Sequence, residues 1–202
     1  GQPLMERTIH QLRKAGICNI NVSTHYKPEK IIQHFGTGRR FGVNIKYLAE
    51  EQPLGTAGAL GLVDDPDKPL LVMNGDILTM VDFRALFRFH CEQEADLTIG
   101  VRQYDVEVPY GVIRAEDNVV TAIQEKPKLE FLVNAGVYLV EPRVIQEIPA
   151  GERFDMTDLI DKLLHLGRPV CSFPIVEYWL DIGRMDDFHR AQEDVKNMRR
   201  VA

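Results

Sequence analysis

Leu70-Leu71-Val72-Met73-Asn74-Gly75-Asp76 is the stretch on which the reading of this chain turns. Four apolar residues bounded by turn formers are too few for a buried helix and fit a strand covered on both faces. Asn, Gly and Asp then bend the chain and leave a carboxylate at the strand's carboxyl end, where open α/β sheets bind their ligands. The sequence before this stretch alternates helix and strand. Met5, Ile9 and Leu12 recur at helical spacing, and Gly16 is a C-terminal stop. Residues 17–23 read as a strand, Pro28 opens a helix running to Phe35, residues 43–48 form a strand and 56–63 a short helix. After Asp76, Asp82 caps a helix whose Phe83, Leu86, Phe87 and His90 share a face.

The second half changes character. Residues 96–104, 110–115, 119–124 and 131–140 are four strands in close succession, with Glu116-Asp117-Asn118 as a hairpin turn. Asp155 caps a helix carrying Leu159, Ile160, Leu163 and Leu164 that ends at Gly167. Residues 170–173 and 178–182 are extended, and Met185, Phe188, Ala191 and Val195 form the buried stripe of a last helix. The expected fold is α/β: a mostly parallel mixed sheet flanked by helices, with an antiparallel β-rich insertion in the second half. No repeat or linker divides the 202 residues, so a single domain is expected.

Composition narrows the function classes. Lys plus Arg is 24 and Asp plus Glu is 30, a net charge of −6. An acidic surface does not advertise nucleic-acid or anionic-membrane binding. No apolar run is long enough to span a bilayer, and residues 1–7 lack a signal-peptide layout. The three cysteines are far apart and form no CxxC pair, which fits a reducing cytoplasm. Gly36-Thr37-Gly38 follows a helix and lacks dinucleotide-fingerprint spacing, and neither HExxH nor GxSxG occurs. His10, His34, His165 and His189 read as helix-surface residues.

Four segments could carry chemistry. Asp76 sits at a strand end, and Trp179-Leu180-Asp181-Ile182-Gly183 repeats the arrangement. Two such carboxylates, if they converge, suit a hard cation that shares its ligands with substrate phosphates. The bland reading is a strand-to-helix turn at Asp76 and a helix cap at Asp181. In Glu125-Lys126-Pro127, Pro127 biases Lys126 toward an extended conformation, presenting one ammonium near the sheet mouth; a solvated strand end is the alternative. Leu54-Gly55-Thr56-Ala57-Gly58 places small residues at a loop-to-helix junction. A flat ring could approach closely there, beside helix N–H groups. A tightly packed helix start competes with that reading.

These segments, taken in order with Pro3-Leu4, Phe41-Gly42-Val43-Asn44-Ile45, Tyr110-Gly111-Val112 and Asn134-Ala135-Gly136, resemble the sugar-phosphate nucleotidyltransferases. Within that family the chain is similar to the branch that includes mannose-1-phosphate guanylyltransferases. The resemblance implies a Rossmann-like fold. It implies transfer of a nucleotidyl group from an NTP, GTP favoured, to a sugar 1-phosphate, giving NDP-sugar and pyrophosphate. It assigns Mg²⁺ to Asp76 and Asp181, and the sugar phosphate to Lys126. It places Glu125, Asn134, Gly111 and Tyr110 on the sugar side, Leu54, Gly55 and Thr56 on the base, and Trp179 among the substrate-binding residues. Homo-oligomerisation and an upstream pair of CBS domains are both compatible with it.

One departure stands out. The family begins with a strand and a glycine-rich loop that cradles the triphosphate, and Gly1-Gln2-Pro3-Leu4 corresponds to the stretch just after it. The expectation is that residues 1–202 act as one domain lacking that strand and loop. Backbone groups of the neighbouring strands would then lack partners, and the chain as written would be strongly impaired as a catalyst. The competing expectation is a non-catalytic relative that binds NDP-sugar or partner subunits.

Overall fold

A computed structural model describes residues 2–183 and 185–201, with side chains left aside at 185 and 195–201. The first helix, α1 (Leu4–Ala15), buries Ile9 and Leu12 and stops at Gly16, whose N–H donates to the Arg13 carbonyl at 2.9 Å. Strand β1 (Asn19–Thr24), helix α2 (Pro28–Phe35) and strand β2 (Asn44–Ala49) follow, and β1 and β2 pair in parallel from Asn19↔Asn44 to Thr24↔Ala49. The short α3 (Gly55–Gly58) leads to β3 (Leu70–Met73), β4 (Ile77–Thr79) and α4 (Phe83–Glu92). Asp82 caps α4 through the N–H groups of Arg84 and Ala85.

The long β5 (Leu97–Glu107), hairpin strands β6 (Val112–Glu116) and β7 (Val119–Gln124), and long β8 (Lys128–Val140) form the predicted β-rich insertion. Asp117 and Asn118 both have positive φ, 46° and 68°, the backbone that a two-residue hairpin turn requires. Next come α5 (Pro142–Ile145), α6 (Met156–His165), β9 (Val170–Pro174), β10 (Trp179–Asp181) and α7 (Met185–Val201).

The central sheet has the order β3-β8-β5-β9. Strand β8 is antiparallel to both β3 and β5, and β9 is parallel to β5. Three of its strands therefore share one direction and β8 runs against them, which is the mixed sheet expected. Helix α6 covers one region of the core with Met156, Leu159 and Leu163 against Leu97, Tyr138 and Val140. Helix α4 contributes Phe83 and Leu86 to a second cluster with Ala135, Val137 and Leu139.

Several expectations need correction. The chain after Asp76 does not run straight into a helix turn; residues 77–79 form β4, paired antiparallel with β10. Leu164 (58% exposed) and Phe188 (44%) lie off their helices' buried stripes, while Ala191 is buried at 5%. Leu163 takes the core position, and its neighbour Leu164 points about 100° away. The side chains of Met185 and Val195 lie outside the described residues. Phe87, expected on the buried face of α4, is 47% exposed and lines a cavity of about 700 Å³.

That cavity bears on the expectation of unpartnered strand edges. Both β1 (Ile20, Ser23) and β3 (Leu70, Val72) line it. Among the described residues β1 pairs only with β2 and β3 only with β8. Two strand edges thus stand without a ladder partner at one apolar cavity.

Immediately before β5, Asp96 is buried and held by Arg143 and Arg168. Burial alone would raise its pKa; the Arg168 and Arg143 hydrogen bonds outweigh that and hold the carboxyl below its usual range. A depressed folded-state pKa stabilises the fold above about pH 4, and this contribution is lost as pH falls through the folded value. Arg168→Met leaves the buried carboxylate with one guanidinium. We expect it to cost about 3 kcal/mol in urea unfolding at neutral pH, with the deficit shrinking as the buffer is acidified. A deficit that does not change with pH would mean the ion pair is not its source. His90, also buried, has Nδ1 2.7 Å from Thr98 Oγ1 and Nε2 3.2 Å from Glu141 Oε1, a satisfied core histidine.

Candidate active site

Asp76 and Asp181, 105 positions apart in sequence, meet at one end of the β4–β10 pair: Asp76 is the turn residue just before β4 and Asp181 is the last residue of β10. Asp181 is the register partner of Ile77, and the Ile182 N–H donates to the Asp76 carbonyl at 2.9 Å. Both aspartates are exposed. Asp181 Oδ1 accepts the Gly183 N–H at 2.8 Å, which closes a local turn. No backbone N–H is recorded on the Asp76 side chain among the described residues.

The same corner holds one more of the predicted segments, residues 134–136. The Trp179 indole N–H donates to the Ala135 carbonyl at 2.8 Å, and the Asn74 N–H donates to the Gly136 carbonyl at 2.9 Å. Asn134 Oδ1 accepts the Gly136 N–H at 3.0 Å. Residues 134–136 lie where the β5–β8 register shifts. Gly136 has φ +66°, and a Cβ there would sit 2.8 Å from Asn74 Nδ2. Only glycine lets the β8 irregularity close onto the turn that carries Asp76. One hydrogen-bonded corner therefore gathers Asn74, Asp76, Asn134, Trp179 and Asp181.

Tyr110, Gly111, Glu125 and Lys126 form a second group, where the β5–β8 arm passes into the β6–β7 hairpin. The Lys126 N–H donates to the Tyr110 carbonyl at 3.3 Å, and Glu125 Oε2 lies 3.1 Å from the position of a Cβ on Gly111. Lys126 is not extended as expected from Pro127; its φ is +44°. The ladder is irregular here. Val108 N–H bonds the Pro127 carbonyl while Tyr110 accepts from Lys126, so Val108 to Tyr110 spans two residues against one on the other strand. That bulge turns Lys126 into the left-handed region, which costs about 1–2 kcal/mol for a residue with a Cβ. Among the described residues no hydrogen bond joins this group to Asp76 or Asp181.

The third group is residues 54–58, and here the tight-packing alternative accounts for the small residues. Leu54 is buried, so its side chain serves the core. Gly55 has φ +78°, and a Cβ there would lie 2.6 Å from Asp155 Oδ1 and 2.8 Å from the Phe154 carbonyl oxygen. The N–H of Thr56 goes to Asp155 Oδ1 at 2.9 Å; those of Ala57 and Gly58 go to the Phe154 carbonyl at 3.0 and 2.9 Å. The helix N–H groups expected to be available to a ligand are thus committed to the chain itself. Sequence reasoning treated Asp155 only as the α6 cap and missed this contact.

Asp76 and Asp181 are both exposed at the β4–β10 end, and among the described residues no cluster of three or more His, Cys, Asp or Glu side chains surrounds a common point. Such a pair leaves most of a cation's coordination to water and substrate oxygens, the habit of Mg²⁺.

A mixed sheet flanked by helices, with an acidic corner at a strand end, defines an α/β domain whose ligand site is expected at that corner. The family model for nucleotidyl transferase matches residues 1–198, and the chain belongs to that family. It is 32% identical over 200 residues to a D-glycero-alpha-D-manno-heptose 1-phosphate guanylyltransferase of Aneurinibacillus thermoaerophilus, covering 97% of this chain and 86% of the relative. It is 32% identical to a UTP–glucose-1-phosphate uridylyltransferase of Synechocystis, covering 98% of this chain but spanning only 58% of that protein. Among solved structures it is similar to HddC from Yersinia pseudotuberculosis, with TM-score 0.74 and 25% identity over 96% of this chain and 86% of HddC.

Proposed function

We propose that this domain transfers a nucleotidyl group from an NTP to a sugar 1-phosphate, releasing pyrophosphate. The observation that carries the reading is the corner in which the backbone bond from the Ile182 N–H to the Asp76 carbonyl joins the turn bearing Asp76 to the end of β10 bearing Asp181, beside Asn134 and Trp179. Both substrates are multiply anionic, so bringing them together is the main physical obstacle. A sugar-phosphate oxygen attacks the α-phosphorus in line as pyrophosphate leaves. The protein's work is positioning and charge neutralisation rather than covalent chemistry. Bound Mg²⁺ would supply positive charge to the phosphates, and Asp76 and Asp181 would hold it.

Lys126 places its ammonium on the sugar phosphate. Glu125 and Asn134 offer acceptors to sugar hydroxyls, with Tyr110 and Gly111 beside them. Residues 54–56 border the base. Guanine is the base we favour, because the relative matched over most of its length is a guanylyltransferase. The cavity at β1 and β3 has the apolar lining and the open strand edges that an added extended strand would fill.

A panel of GTP, UTP, CTP, ATP and dTTP against hexose and heptose 1-phosphates, read by pyrophosphate release from protein carrying residues upstream of Gly1, tests the reading. We expect the highest kcat/KM with GTP. No pyrophosphate release with any pair would sink the proposed activity, and a preference for UTP would overturn the base alone.

A further inference from the structure

Resting on the reading of residues 54–56 as part of the nucleotide site, we propose that Asp155 is the positioning residue that sets nucleotide affinity without touching the nucleotide. Helix α3 has four residues and cannot hold its own shape, since a single helical turn is unstable alone. Its shape is imposed by the strap at residues 154–156. Phe154 donates its N–H to the Leu54 carbonyl at 2.8 Å and accepts from Ala57 and Gly58. Asp155 Oδ1 takes the Thr56 N–H at 2.9 Å, and Thr56 Oγ1 in turn takes the Met156 N–H at 2.8 Å. Each segment caps the other's helix across a separation of about 100 residues.

The geometry leaves no slack. Gly55 passes so close to Asp155 Oδ1 that a side chain would collide with it. The Thr56 N–H holds the Asp155 carboxyl below the usual carboxylate range; partial burial opposes this and Arg153 adds to it. The bond is therefore made to an ionised group and is charge-assisted at neutral pH. Asp155 also belongs to a capping box in α6, in which the Asp155 N–H donates to Asp158 Oδ2 at 2.9 Å. A role confined to α6 would make Asp155 and Asp158 equivalent. The bond to Thr56 makes them different.

Asp155→Ala, Asp155→Asn and Asp158→Ala separate the two roles. GTP and UTP affinities are measured by titration calorimetry, and amide exchange at residues 52–58 is followed with and without nucleotide. Asp155→Ala is expected to weaken nucleotide binding about tenfold and release the amides of 56–58, with mannose 1-phosphate affinity unchanged. Asp155→Asn, which keeps an acceptor oxygen, should lose less. Asp158→Ala should lower thermal stability and leave nucleotide affinity alone.

Equal losses in the two alanine variants would overturn the proposal in favour of plain α6 stability. So would unaltered nucleotide affinity in Asp155→Ala, provided nucleotide protects residues 52–58 in the parent protein. Absence of that protection in the parent would instead overturn the reading of residues 54–56 as a nucleotide site.

Discussion

Asp76→Asn and Asp181→Asn are each expected to lower Mg²⁺-dependent turnover by about 100- to 1,000-fold while the fold stays intact. The expectation of an intact fold comes from the contacts. Asp76 joins the neighbouring strand through its backbone carbonyl, which the substitution does not touch. Asp181 uses Oδ1 to accept the Gly183 N–H, and an asparagine keeps that acceptor. Both side chains are exposed, so neither substitution opens a cavity. The change is confined to one negative charge per variant, at the corner proposed to neutralise two anionic substrates. Pyrophosphate release across a Mg²⁺ titration, with thermal unfolding in parallel, gives both readouts. Undiminished turnover in both variants would remove the metal from these residues. Lost turnover with a lowered melting temperature would point to damaged structure instead.

The parts of the fold legible in the sequence are those whose causes are local. Gly16 ends α1 because the chain there reverses, and Asp117-Asn118 makes a tight hairpin because both tolerate a positive φ. Leu70–Met73 is a strand, as four apolar residues between turn formers predict, but it is not the fully covered strand expected: all four are half-buried and line the cavity. What escaped the sequence was set by distant partners. Strand β4 is three residues long and exists because β10 lies beside it. Lys126 leaves the extended region because of a ladder irregularity involving residues 108–110, which Pro127 does not reveal. The glycines of residues 54–58 suggested room for a ring, yet they are explained by a strap 99 residues away. Of the site residues, the two strand-end aspartates were readable from the pattern of strand, turn and acid. Their adjacency required the β4–β10 register.

Supplying an extended strand ahead of residue 2 is expected to stabilise the domain by on the order of 4 kcal/mol and to raise turnover by about 100- to 1,000-fold. The direction of that strand follows from chain order. A strand entering α1 and followed by β1 makes a strand–helix–strand unit, and such crossovers are right-handed with the two strands parallel. The cavity of about 700 Å³ has room for roughly five residues of ordinary volume, comparable with the four of β3 and the six of β1. Its lining includes Leu12 and Phe83 from the helices on one side and Leu48 and Leu60 from other elements. A strand packed there needs apolar residues at successive positions rather than alternating ones. New ladder bonds at about 1 kcal/mol each and the burial of apolar surface must exceed an ordering cost of about 1–2 kcal/mol per residue. Phe87, now half exposed, should be covered. Three proteins suffice: residues 1–202, the chain extended at its N-terminus by an apolar strand and a glycine-rich loop, and a version with that segment replaced by glycine and serine. Urea midpoints and amide exchange at residues 19–24 and 70–73 report on the edges, and pyrophosphate release reports on catalysis. Slowed exchange at both strands in the apolar extension alone is the expected result. Equal midpoints and equal exchange in all three would show that the two edges do not receive a strand. Protection without a gain in turnover would mean that the strand completes the sheet but brings no phosphate-binding loop with it.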